Sequence, residues 1–239
     1  MADKRIEKMA SILVGHSLNV KRNETVMIAA STELAKPLVL ECYKEVLKRG
    51  GHPLTSIALE ECTNIFFDNA TKAQIEHLPK TKVYESKNID CFINIRAPHN
   101  KKALSTVDPK KAGQRAMALM SISNTIVNRN RWVLTNFPTN ALAQEADMSL
   151  VEYENFLYGA VNIDWAKAER AQTKLKRILD KGKTVHIVGK ETDLTLSIKG
   201  RPGIKCCGHR NMPDGEVFLS PVENSAEGHI FYEMPAIYQ

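Results

Sequence analysis

The spacing of apolar and polar residues changes near residue 180: strand and helix patterns alternate before it, and strand patterns predominate after it. In the first part, compact apolar runs at residues 25–30, 54–59, 89–95 and 132–135 predict strands. Between them, apolar residues recur at helical spacing, which predicts helices at 3–16, 34–48, 71–78, 108–122 and 141–146, and a long one after Asp164. Strands that alternate with helices predict a mainly parallel sheet flanked by helices, hence an α/β fold class.

After residue 183 the pattern becomes that of a β-rich region. Residues 184–188 and 194–198 read as two strands joined by a short polar turn, and residues 228–232 as a further strand. We therefore expect an α/β N-terminal domain at residues 1–180 and the beginning of a β-rich domain at 181–239. These few strands would leave an unpaired sheet edge, so we expect the second domain to be truncated.

The charge and hydropathy of the chain argue against nucleic acids and membranes as partners. The net charge is +6 and the pI about 9.0, but the lysines and arginines are dispersed among acidic residues and no aromatic-basic stripe accompanies them. This pattern is typical of a solvated surface, and we expect no nucleic-acid partner. No apolar run approaches the roughly 20 residues that cross a bilayer, and the first residues lack an apolar core typical of signal peptides. We expect no membrane association and a cytoplasmic location.

The five cysteines match neither a disulfide framework nor a zinc-binding pair of CxxC motifs. Cys42, Cys62 and Cys91 lie within apolar-periodic segments, so we expect them to be reduced core residues. Adjacent residues on a strand point to opposite faces, which would make Cys206 and Cys207 poor joint ligands for one metal.

The segment most suggestive of chemistry is Pro213-Asp214-Gly215-Glu216, which precedes a short apolar strand. Proline, aspartate and glycine favour a turn, and this turn would fix the Glu216 carboxylate at the start of the strand. Such a carboxylate could bind a divalent cation. The local pattern alone is more typical of an exposed glutamate on a hairpin, and both interpretations stay open at this point. Phosphate-binding glycine loops and a GxSxG nucleophile motif are absent from the sequence.

Three stretches, in this order and spacing, resemble the aminopeptidase T–aminopeptidase S family of metallopeptidases. They contain Phe137-Pro138-Thr139, Ala143-Gln144, Tyr153, Phe156, Tyr158 and Asp164-Trp165 in the first; Thr192-Asp193-Leu194 and Gly200-Arg201 in the second; and residues 211–218 with Ser220-Pro221 in the third. The segment Leu219-Ser220-Pro221 departs from the Thr-Ala-Pro that is usual there.

The resemblance implies a two-domain aminopeptidase, a metal-dependent hydrolase that releases N-terminal amino acids from peptides and works as a homodimer. It also implies that Glu216 is a metal ligand and that each site holds two divalent ions, with zinc, cobalt or magnesium as candidates. In the family the remaining ligands, another Glu, two His, an Asp and a Tyr, follow later in the chain. We therefore expect residues 1–239 to be inactive alone, with no catalytic residue besides the metal ligand.

Two expectations about individual residues accompany this resemblance. Asp193 and Arg201 match the family pattern, and we expect them to form a structural ion pair with each other. The apolar and aromatic residues of the 138–165 stretch, including Phe156, are expected in the core. A non-catalytic α/β binding or assembly module derived from the same family is the alternative function.

Overall fold

The computed structural model describes residues 3–129 and 131–234. The elements follow in chain order: α1 (Lys4–Ser11), a π-helix (Ile12–Ser17), β1 (Thr25–Ala30), a 3-10 turn (Glu33–Ala35), α2 (Lys36–Lys48), β2 (His52–Ile57), α3 (Glu60–Asn69), α4 (Lys72–Ile75), α5 (Lys80–Asn88), β3 (Cys91–Arg96), α6 (Pro109–Asn128), β4 (Trp132–Asn136), α7 (Asn140–Glu145), α8 (Leu150–Val161), α9 (Trp165–Lys181), β5 (Thr184–Gly189), β6 (Thr192–Ser197), β7 (Ile204–Lys205), β8 (Asn211–Met212), β9 (Val217–Phe218) and β10 (Glu227–His229). None of the described helices is long and apolar enough to cross a membrane.

The chain divides into two compact units. The first comprises Met1–Ile163 together with Gly208–Asp214, and the second comprises Asp164–Cys207 together with Gly215–Gln239. The first unit is therefore discontinuous, because the chain returns to it for one short segment. The expected domain boundary near residue 180 remains a prediction.

The first unit is built on a five-stranded sheet in the order β2-β1-β3-β4-β8. All four pairings are parallel, with Met27 beside Phe92 at the centre. The central strands are largely buried because their apolar residues are covered on both faces, as in other parallel sheets. The predicted α/β fold class, a mainly parallel sheet flanked by helices, is confirmed, with antiparallel strands in the later sheets.

Helices α1 and α2 pack against each other, and α2 packs on β1 and β2. Met9 and Leu13 are fully buried at the N-terminal end of this layer, and Leu38 and Val46 of α2 are equally buried. Burial of each such side chain contributes about 1.5–3 kcal/mol, so this apolar stripe anchors the helices beside the sheet.

Several helices are longer or more numerous than the pattern predicts. Helices α3 and α5 are not predicted, and α6 extends to Asn128, with no buried residue among its members. Each of the two missed helices buries a single residue, Phe67 of α3 and Ser86 of α5, so neither has the apolar stripe by which the pattern predicts a helix.

Several expected core residues prove to be exposed. Cys62 of α3 is exposed. In the 138–165 stretch, Val151, Phe156 and Ile163 are 66%, 62% and 43% exposed, although Tyr153 and Tyr158 are buried. These expectations were wrong because helical spacing identifies an apolar stripe without showing how far the neighbouring layer extends over it. Cys42 and Cys91 are buried, as predicted.

The second unit begins with α9 and continues into β-structure. Strands β5 and β6 form the predicted antiparallel hairpin, and β10 adds to the other side of β6. The predicted strand at 228–232 is shorter, Glu227–His229. Strands β7 and β9 form a separate antiparallel pair, and this pair positions the residues of the candidate site.

Candidate metal centre

The candidate metal ligand follows strand β8, which forms an edge of the parallel sheet. Leu134 donates its N–H to the carbonyl oxygen of Arg210 at 2.6 Å, and the Thr135 hydroxyl donates to the Met212 carbonyl at 2.7 Å. Because β8 runs parallel to β4, the chain leaves it at the carboxyl edge of the sheet. Asp214 follows there, and its Oδ2 accepts a hydrogen bond from the Gly208 N–H at 3.3 Å.

Glu216 belongs to the second unit and directly precedes β9. Gly215 has φ +144°, a backbone conformation that side chains disfavour, which explains the glycine before the glutamate. The Glu216 side chain is exposed, and its carbonyl oxygen accepts a hydrogen bond from the Cys206 N–H at 2.9 Å. The predicted local arrangement, a turn followed by a glutamate at the start of a short strand, is what the structure contains. Its role as a metal ligand remains a prediction.

Within the described part of the second unit, the thiol of Cys206 is a metal-ligating neighbour of Glu216. Lys205 of β7 is paired with Val217 of β9, so the next position along the register sets Cys206 opposite Glu216. A carboxylate oxygen of Glu216 and the Cys206 Sγ lie within 4.8 Å of each other. One metal ion could bridge atoms at this separation.

Helix α9 also positions Cys206 and Cys207, through hydrogen bonds of Gln172. Gln172 is buried, its amide nitrogen donates to the Cys206 carbonyl at 2.9 Å, and its amide oxygen lies 2.7 Å from the Cys207 Sγ. Cys207 is buried, while Cys206 is half-buried. The two thiols therefore have different surroundings, although both residues lie beyond the end of β7 rather than within it.

The donor chemistry of this pair fits a borderline divalent cation. Thiolate and carboxylate groups are both zinc ligands, and oxygen donors also suit magnesium or cobalt. Two donors are too few for the three or four protein ligands of a closed zinc site. Cys206 was not predicted as a ligand because the sequence gives no sign that β7 ends at Lys205, and the pairing with β9 is what brings the thiol to Glu216.

Asp193 and Arg201 do not form the ion pair that we expected between them. Asp193 instead pairs with His186 across the β5–β6 hairpin at 2.9 Å, and Arg201 pairs with Glu223 at 2.5 Å. Their opposite charges suggested a pair, but β6 ends at Ser197, before Arg201, and the antiparallel pairing of β5 with β6 brings His186 within reach of Asp193. His209 lies in the first unit, where its ring stacks on that of His16 at 4.7 Å.

Comparisons with known proteins give these features a context. The family model of the thermophilic metalloproteases (M29) matches residues 2–239. Among solved structures, wild-type AmpT from Thermus thermophilus is similar, with 19% sequence identity and a TM-score of 0.77. The alignment covers 94% of this chain and 63% of the AmpT chain, so this chain spans less than two thirds of that protein. No curated protein matches the sequence.

At 19% identity the likeness to AmpT shows a shared fold. The family match extends over nearly the whole sequence and includes the turn that carries Glu216. Metalloproteases act through bound divalent metal ions, which agrees with the donor types found beside this turn. The chain belongs to the thermophilic metalloprotease family M29.

Proposed function

We propose that this chain is the N-terminal part of a metal-dependent aminopeptidase that releases N-terminal amino acids from peptides, with Glu216 as a metal ligand. The observation that carries the proposal is the family match over residues 2–239, which includes Glu216. The exposed carboxylate at a glycine-fixed turn and the Cys206 thiol within 4.8 Å of it support the placement of a cation there.

Two metal ions of zinc, cobalt or magnesium type would supply an activated water and polarise the scissile carbonyl. The chain's own contribution is to hold Glu216 at a fixed place. Its backbone carbonyl is tied to Cys206, which is tied in turn to Gln172 of α9, so the carboxylate starts from an ordered main chain. An ordered ligand loses less freedom when it binds a cation, which favours metal binding.

The described part of the second unit supplies two neighbouring donors at this place, whereas a two-metal centre needs several. We therefore propose that residues 1–239 alone do not turn over peptides. Peptides as substrates, a homodimer and a cytoplasmic location belong to the same proposal, and the first of these follows most directly from membership of a protease family.

The DNA that follows codon 239 provides the first test. The proposal expects an open reading frame that encodes further glutamate, histidine and aspartate ligands, and a protein expressed through that frame should cleave leucine p-nitroanilide. Cleavage should stop with EDTA and return with zinc, cobalt or magnesium. A stop codon at this point, or an extended protein with no metal-dependent cleavage, would instead favour the non-catalytic module.

A further inference from the structure

A cavity of about 510 Å³ opens at the carboxyl edge of the parallel sheet, within the first unit. Four neighbouring strands contribute to it: Ser31 follows β1, Ala58 follows β2, Arg96 ends β3 and Asn136 ends β4. Its volume falls in the range of about 300–1,000 Å³ that small-molecule sites occupy.

The strand order places this cavity at a topological switch point. From β1 the chain moves to β2 on one side of the sheet and later to β3 on the other side. The two connections leave in opposite directions, which opens a crevice between the ends of β1 and β3, where open α/β sheets bind ligands. Ser31 and Arg96 flank this crevice, since Ala30 is paired with Ile95 and the Ser31 N–H donates to the Ile95 carbonyl at 2.9 Å.

Arg96 provides an unneutralised positive charge in the cavity. Across residues 3–129 and 131–234 its guanidinium has no hydrogen-bond or ion-pair partner, and the side chain is exposed. Lys101, the second cation that lines the cavity, is instead paired with Glu145 at 2.6 Å. A guanidinium binds a carboxylate with two parallel hydrogen bonds, so Arg96 is suited to an anionic group.

Glu60 provides a negative charge in the same cavity. One carboxylate oxygen accepts the His99 N–H at 3.1 Å, and the other has no partner among the described residues. Glu60 is half-buried and makes no ion pair with Arg96, although both line the cavity. Two opposite charges that do not neutralise each other favour a ligand that carries both.

The remaining lining is mostly apolar and small. Ala103, Leu104 and Leu142 form one part of the wall, and Leu104 is 45% exposed towards the opening. The Ser31 hydroxyl accepts the Ala97 N–H at 2.7 Å, which leaves its own hydrogen available to a ligand. The cavity thus combines the Glu60 carboxylate, the Arg96 guanidinium and an apolar wall.

We propose that this cavity binds a small zwitterion with an apolar side chain, namely a free α-amino acid or a short peptide. Its carboxylate pairs with Arg96, its ammonium pairs with Glu60, and its side chain packs on Leu104 and Leu142. The proposed binding uses no metal.

The test is calorimetric titration of the 239-residue chain in EDTA with four related ligands. Leucine and leucyl-leucine carry both charges, leucinamide lacks the carboxylate, and N-acetyl-leucine lacks the ammonium. At least one zwitterion should bind saturably below about 10 mM, and the two singly charged ligands at least about ten-fold more weakly, as expected when a charged hydrogen bond is lost. If leucine binds more tightly than leucyl-leucine, the ligand is a free amino acid; if leucyl-leucine binds more tightly, it is a short peptide.

Two variants that each remove one charge assign the ligand's groups. Arg96→Gln should remove the preference for the tighter zwitterion over leucinamide, and Glu60→Gln should remove its preference over N-acetyl-leucine. Arg170→Gln and Glu61→Gln, exposed changes outside the cavity, are the matched controls and should bind as the parent does. Circular dichroism verifies that each variant is folded.

Absence of saturable binding by both zwitterions would overturn the proposal. Equal binding of the tighter zwitterion and either singly charged ligand by the parent protein would also overturn it, as would unchanged preferences in the two cavity variants. Because EDTA is present throughout, a negative result here leaves the proposed aminopeptidase activity untouched, and loss of that activity leaves this binding untouched.

Discussion

The guanidinium of Arg131 binds both carboxylate oxygens of Glu24, a residue 107 positions earlier in the chain. The contact to Oε2 is 2.9 Å long, and the same Arg131 nitrogen also donates to the Leu18 carbonyl at 2.9 Å. Glu24 immediately precedes β1 and Arg131 immediately precedes β4, so this pair links the amino ends of two strands of the parallel sheet. Both side chains are half-buried, and the bidentate, charge-assisted geometry makes this pair stronger than a single contact at the surface.

Glu24→Gln should therefore lower the free energy of unfolding by about 1–3 kcal/mol at pH 7, the usual loss for a hydrogen bond to a charged group. The hydrogen bonds from Arg131 hold the pKa of the Glu24 carboxyl below its ordinary value of 4.5. A lowered folded-state pKa means that the stabilisation is complete above about pH 4.5 and is lost as the pH falls through the folded-state value.

Urea unfolding of the parent and the variant at several pH values measures this difference. The gap in unfolding free energy should be constant from pH 7 to about 5.5 and should shrink below 4.5. Glu76→Gln removes an exposed pair with Lys72 and should change stability by less than about 0.5 kcal/mol. A Glu24 variant as stable as the Glu76 control at pH 7 would show that the ion pair is dispensable.

The cysteines should differ sharply in reactivity. Cys62 is exposed, whereas Cys42 and Cys91 are buried, and burial raises the pKa of Cys91 to about 12 and that of Cys42 still further. Since the thiolate is the reactive form, iodoacetamide at pH 8 should alkylate Cys62 at least about ten-fold faster than the two buried residues. Peptide mass spectrometry follows each site, with urea-unfolded protein as the control in which all three react. Alkylation of Cys42 at the rate of Cys62 in folded protein would contradict the assigned packing.

The 239-residue chain alone should not cleave leucine p-nitroanilide. A two-metal centre fixes two ions and their bridging water through several protein ligands, and the second unit, as far as residue 234, supplies two neighbouring donors at Glu216. Release of p-nitroaniline with added zinc, cobalt or magnesium should stay at the level of a chain-free blank. Clear metal-dependent turnover, removed by EDTA, would show that this chain completes a site by itself.

The sequence predicted the parallel sheet well because its central strands are continuous apolar runs. Residues 25–30 were predicted with the same bounds as β1, and the predicted run at 89–95 overlaps β3. Strand β8 could not be predicted in the same way, because two residues carry no periodicity and their place beside β4 depends on tertiary hydrogen bonds. The return of the chain to the first unit after residue 207 was missed for this reason.

The candidate site shows the same limit. The turn at Glu216 was predicted because proline, aspartate and glycine have local conformational preferences. The approach of Cys206 depends on the register of β7 with β9, and the cavity at Arg96 depends on the order of the strands. Neither arrangement is encoded in neighbouring residues, so local pattern alone could not have found them.

The most direct test of the central claim is the turnover of leucine p-nitroanilide by the protein extended past residue 239 through its own reading frame, compared with its Glu216→Gln variant. Glutamine nearly preserves the shape of the side chain and removes the charge that a divalent cation requires. We expect Glu216→Gln to lower kcat/KM by at least about a hundred-fold, with an unchanged circular dichroism spectrum. Glu233→Gln, an exposed glutamate of the same unit, should retain parental turnover. If the folded Glu216→Gln protein binds metal and cleaves the substrate as the parent does, Glu216 is not a ligand and the turn before β9 is only structural.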